Sequence, residues 1–62
     1  MKETKILRHE ITATHEQWVV ESTLMAYIAS EQAGLPSTAR LFTEERIGDG
    51  RIYWTFRREV RP

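Results

Sequence analysis

At 62 residues with no cysteine, the chain is long enough for one small domain, residues 1–62, and no disulfide or thiolate metal site can brace it. It is 40% hydrophobic and 29% charged, as an ordinary globular domain is, and no apolar run approaches the roughly 18–20 residues of a membrane span. A formal net charge of zero argues against strong non-specific DNA binding, for which a basic domain is expected.

The first ten residues, MKETKILRHE, have no apolar stretch of the kind a secretory leader carries, so the expected location is the cytoplasm. The charge is unevenly spread. Met1 to Thr38 holds three bases against five acids, a net of −2, and Ala39 to Pro62 holds six arginines against four acids, a net of +2. Such asymmetry marks either a partner-binding end or pairing between the two halves.

Thr4 to Thr12 (TKILRHEIT) reads as a strand, with Thr4, Ile6, Ile11 and Thr12 suited to a pleated surface. Leu7, His9, Ile11 and Ala13 share one face, the better core candidate. Thr14 then offers a helix N-cap, with Gln17 three residues on to complete a capping box and Glu16 in the first turn. The expected helix runs from about His15 to Ala33, with Gly34 as its left-handed stop and Pro36 beyond. It would carry two apolar stripes. Trp18, Ser22, Met25, Ala26, Ala29 and Ala33 form one, and Val20, Leu24, Tyr27 and Ile28 the other. One stripe suffices to pack on a sheet. The second predicts a homodimer interface at Val20, Leu24, Tyr27 and Ile28, because extra apolar surface needs a cover.

Gly34 to Thr38 leads into a hairpin whose centre is Gly48-Asp49-Gly50. With Asp49-Gly50 as the central residues of a type I′ turn, Ile47 would face Ile52, Glu45 would face Trp54, and Thr43 would face Phe56. That register puts Glu45 on the buried side, at the sheet margin or against a cation. The outer face of the hairpin would then pair Arg46 with Tyr53, Phe42 with Arg57, and Arg40 with Glu59. Arginine beside exposed aromatics suits phosphate neutralisation and base stacking. It suits a protein interface equally, and it also occurs as plain cross-strand pairing on a solvated sheet.

Catalytic signals are weak. His9-Glu10 and His15-Glu16 repeat a dipeptide without forming HExxH, and their spacing specifies no metal site. No serine or threonine sits in GxSxG or beside a positioned base, and Gly48-Asp49-Gly50 lacks the following helix a phosphate loop needs. Trp18 and Trp54 read as core residues.

The sequence therefore predicts an α+β domain in the order β-α-β-β, one helix packed on a small three-stranded sheet that ends in a β-hairpin. No enzymatic activity and no cofactor or metal are expected. The expected function is a small non-enzymatic binding module, a homo-oligomeric protein–protein interaction or accessory regulatory protein whose partner is itself or another protein. The alternative is a nucleic-acid-binding regulator using Arg40, Phe42, Arg46, Tyr53 and Arg57. A third is a small-molecule-binding or catalytic dimer with its site at the subunit seam.

Overall fold

A computed structural model of the chain describes residues 3–60. Four strands and one helix follow in the order β1 (Thr4–Ile11), β2 (His15–Ser22), α1 (Ala26–Gln32), β3 (Arg40–Gly48) and β4 (Arg51–Glu59). The strands form one antiparallel sheet in the order β1-β2-β4-β3. The fold is α+β, as expected, but with four strands in the order ββαββ rather than three.

The correction lies in His15 to Ala33. The expected 19-residue helix is a central strand followed by a seven-residue helix. Burial along β2 alternates strictly, with Glu16, Trp18, Val20 and Ser22 buried and His15, Gln17, Val19 and Glu21 half-buried. This is the period of a strand with one covered face. Neighbouring Val19 and Val20 favour it, since β-branched side chains lose rotamer freedom in a helix. Thr14 caps nothing. The turn is held by Thr12, whose amide donates to the His15 carbonyl at 2.8 Å and whose hydroxyl accepts from the His15 amide at 3.0 Å. That turn folds β2 back onto β1.

The end of the helix is as expected. Gly34 has φ +74°, the left-handed conformation that stops a helix. The Leu35 amide donates to the Ser30 carbonyl and the Gly34 amide to the Glu31 carbonyl, both at 3.1 Å. These are the two closing bonds of a Schellman motif.

The Asp49-Gly50 turn also forms. Both residues have positive φ, +55° and +73°, and Gly48 pairs with Arg51 across a two-residue loop. A bulge at Ile47 then shifts the register, so Arg46 faces Ile52, Glu45 faces Tyr53 and Glu44 faces Trp54. A second bulge at Phe42 brings Leu41 opposite Phe56 and Arg40 opposite Arg57. Each bulge inserts one residue and moves the following side chains to the other face. Glu45 is thereby relieved of the buried position expected for it. A bulge at Leu7, between Ile6 and Arg8, likewise puts Ile6 on the same face as His9 and Ile11 and leaves Leu7 unpaired.

The core is small. Trp18, Val20, Trp54 and Phe56 from the sheet and Ala29 from the helix are buried, with Ala26, Ala33, Leu35, Ala39 and Ile52 packed around them. Ala29 is fully buried, and alanine there permits close approach of helix to sheet. The indole Nε1 of Trp54 donates to the Leu24 carbonyl at 2.9 Å, tying the connection before the helix to the sheet. At the other end of the covered face the Thr4 and Ser22 hydroxyls are bonded at 2.8 Å, and Ser22 accepts from the Leu24 amide. The buried polar side chains therefore have partners, as burial demands.

Candidate functional site

The sheet has two unlike faces. The covered face lies under α1 and the loop that follows it. Its cross-strand rows run Thr4–Ser22–Ile52–Arg46, then Ile6–Val20–Trp54–Glu44, then His9–Trp18–Phe56–Leu41. Apart from buried Thr4 on β1, the cover reaches the two central strands. The edge strands leave apolar side chains open on this side, with Ile6 43%, Ile11 67% and Leu41 47% exposed.

At one end of the covered face sits a polar cluster that sequence reasoning missed. His9 Nε2 donates to one oxygen of Glu16 at 2.6 Å, and Arg58 Nε and Nη2 both reach the other oxygen at 2.7 Å. Arg58 also donates through Nη1 to the Thr38 hydroxyl at 3.2 Å. The His9 ring stacks on Trp18 with centroids 5.2 Å apart. Glu16 is buried, and its carboxyl is held below the usual carboxylate range. The hydrogen bond from His9 is the main cause, with Arg58 adding to it against the opposing effect of burial. The cluster joins β1, β2, β4 and the loop before β3. Chemically it is a clasp: both carboxylate oxygens are occupied by cations or donors, and nothing is positioned as a nucleophile. Strand parity was the signal that could have found it, since Glu16 and Trp18 share a face only if His15 to Ser22 is extended.

Among the described residues the other face carries no layer. Its rows run Lys5–Glu21–Tyr53–Glu45, then Arg8–Val19–Thr55–Thr43, then Glu10–Gln17–Arg57–Arg40. Four of the five residues expected on an arginine–aromatic face are brought together here. Arg57 lies over the Phe42 ring, 3.8 Å from its centroid, and donates to the Gln17 side chain at 3.1 Å. Arg40 begins β3 beside Arg57, and Tyr53 stands half-buried in the sheet centre. Arg46 is the exception. The Ile47 bulge sends it to the covered face, where it lies 3.8 Å from Glu44. The expected pairs Arg46–Tyr53 and Arg40–Glu59 are accordingly replaced by Glu45–Tyr53 and Arg40–Arg57. Glu10, Glu21, Glu45 and Glu59 share this face with the bases, so it is mixed in sign.

The residues expected at a helical oligomer stripe are scattered. Val20 is fully buried in β2 and presents nothing to a partner. Leu24 is half-buried before the helix, while Tyr27 and Ile28 are exposed on it. Their common stripe does not exist because Val20 and Leu24 are not helical. His9 and His15 fall on opposite faces of the sheet, so they do not converge on a metal. Trp18 and Trp54 are core residues, on neighbouring paired strands.

No helix among the described residues is long and apolar enough to cross a membrane. Comparison with family models, curated proteins and solved structures finds no match to the chain.

Proposed function

We propose that the chain is a non-enzymatic binding module that works as a self-associating protein–protein interaction or accessory regulatory protein. The observation that carries this reading is the one-sided, incomplete cover of the sheet. Among the described residues, a seven-residue helix and the loop after it cover mainly the two central strands, the opposite face has no layer, and five apolar residues are buried. Two-layer domains gain stability by burying at least one whole face, and a core this small supplies no more than about 3–5 kcal/mol.

Where the chain associates also has support. Both sheet edges carry β-bulges, at Leu7 on β1 and at Phe42 and Ile47 on β3. Bulges blunt edge-to-edge pairing, which favours contact through faces. The test is the concentration dependence of thermal unfolding. A folded oligomer gains stability by mass action, so the midpoint rises with protein concentration. A midpoint that stays constant over a hundredfold concentration range contradicts the proposal.

One observation favours a second reading, a nucleic-acid-binding regulator. Arg57 stacked on Phe42 beside Arg40, with Tyr53 on the same face, combines phosphate-binding and base-stacking groups. The four glutamates sharing that face weigh against it. Amide-shift titration with single-stranded RNA, single-stranded DNA and duplex DNA decides: shifts confined to β3 and β4 that shrink as salt rises support it. Spectra unchanged at low salt remove it.

A further inference from the structure

The charged residues of the two faces differ in how they are satisfied. On the covered face Glu16, Arg58, Glu44 and Arg46 are all in ion pairs. On the open face Arg51 lies 3.6 Å from Glu21, but Lys5, Arg8, Glu10, Arg40, Glu45, Arg57 and Glu59 have no ion-pair partner among the described residues. Arg40 is set directly opposite Arg57, an arrangement that is destabilising in an isolated sheet. Neither guanidinium has a carboxylate among the described residues. Arg40 turns back to the carbonyls of Ser37 and Ala39, and Arg57 to Gln17 and Phe42. An acidic group supplied from outside would resolve that corner.

The rest rests on the self-association proposed above and gives it a surface and a register. Take a second copy laid face to face on the open side, related by a two-fold axis parallel to the strands. The sheet order β1-β2-β4-β3 then places β1 of one copy over β3 of the other, and β2 over β4, with each cross-strand row kept. Lys5 of one copy lies over Glu45 of the other, and Glu10 over Arg40. Gln17 lies over Arg57, and Val19 over Thr55 at the centre. The two-fold repeats each contact. Every charged corner meets its opposite, and the Arg40–Arg57 corner receives its missing carboxylate from Glu10. A two-fold across the strands would also set Lys5 over Glu10 and Glu45 over Arg40, but it places Arg8 on Arg8. Aligned sheets pack at about −30°, which displaces the corners by a few ångströms, within reach of lysine, arginine and glutamate side chains. Strands about 4.8 Å apart with a rise of about 3.4 Å per residue make the face roughly 19 by 27 Å. Two copies thus remove on the order of 1,000 Å² from water, the lower bound for a specific interface.

We infer that the open face of the sheet is a homodimer interface, with Lys5 and Glu10 on β1 of one copy paired to Glu45 and Arg40 on β3 of the other.

The test is a charge-swap mixing experiment on the full chain, read by sedimentation at low salt with circular dichroism as a check on folding. Lys5→Glu alone sets two carboxylates against each other at both Lys5–Glu45 contacts of the dimer. Glu45→Lys alone sets two ammonium groups against each other at the same contacts. Each variant alone should dissociate roughly ten- to thirtyfold more readily than the wild type, since symmetry doubles the effect of each reversed pair. In an equimolar mixture the two variants should form a heterodimer in which one contact is the native pair and the other is the same pair reversed. Glu10→Lys and Arg40→Glu form a second, independent set with the same logic. Arg40→Glu also removes the Arg40–Arg57 repulsion, so it should fold at least as well as the wild type while associating less. Single variants that associate as the wild type does, or a mixture that gains nothing over its components, overturn the interface while leaving self-association standing. A wild type that is monomeric throughout overturns both.

Discussion

Val19 and Val20 are adjacent, chemically identical and on opposite faces of β2. Val20 is 0% exposed beneath the helix, and Val19 is half-buried on the open face. Val20→Ala removes two buried carbon groups, worth about 0.8 kcal/mol each in transfer. A residual cavity of roughly 40 Å³ adds about 1 kcal/mol. The expected loss is about 2.5 kcal/mol, half or more of what a core this size supplies. At about 4–8 °C per kcal/mol for a domain of this size, the unfolding midpoint falls by roughly 10–20 °C. Val19→Ala on the open face of an isolated chain costs about 1 kcal/mol or less, the span of strand propensity. Both variants should be followed by far-UV circular dichroism in thermal and urea unfolding at the lowest practical protein concentration. Equal losses at the two positions would refute the strand assignment and its covered face. If the open face is covered by a second copy, the Val19→Ala penalty should grow as concentration rises.

Three further predictions follow from single contacts. Glu16 has a folded pKa below its unfolded one, so its contribution is full above the unfolded carboxylate range and is lost as pH falls through the lowered folded value. Thermal midpoints measured from neutral to acid pH should drop on the acid side, and Glu16→Gln should flatten that drop while lowering the neutral midpoint. An acid limb unchanged by the substitution would show that other carboxylates set it. Gly50→Ala forces a side chain onto φ +73° and should cost about 1–2 kcal/mol in urea unfolding, whereas Asp49→Asn should be nearly neutral because asparagine tolerates the left-handed region. Trp54→Phe removes the donor to the Leu24 carbonyl and should cost about 1–3 kcal/mol, together with earlier amide exchange in the segment from Thr23 to Ala29 by hydrogen-exchange mass spectrometry.

The parts of the fold legible in the sequence are those set by local chemistry. TKILRHEI has β-branched residues and alternation enough for a strand. Asp49-Gly50 specifies a two-residue turn, and Gly34 before Pro36 specifies a helix end. In HEQWVVES the period of two is disguised. Two of its four buried positions are Glu16 and Ser22, which look like surface residues until His9, Arg58 and Thr4 are seen beside them. Three consecutive apolar residues, Trp18 to Val20, then run on to Leu24, Met25, Tyr27 and Ile28 and imitate a helix with two stripes. The bulges at Leu7 and Phe42 have no glycine to mark them, whereas the one at Ile47 adjoins Gly48, whose φ is +88°. They show only in the cross-strand pairing, a tertiary feature. The arginine–aromatic cluster was readable because Phe42, Tyr53 and Arg57 reach the open face despite the slip, whereas Arg46 lies between the two bulges and changes sides.

Sedimentation equilibrium of the wild-type chain across a concentration series addresses the central claim most directly. Self-association predicts a weight-average mass that rises with concentration toward twice the 7.3 kDa of one chain. A mass that stays at 7.3 kDa at every concentration would contradict it.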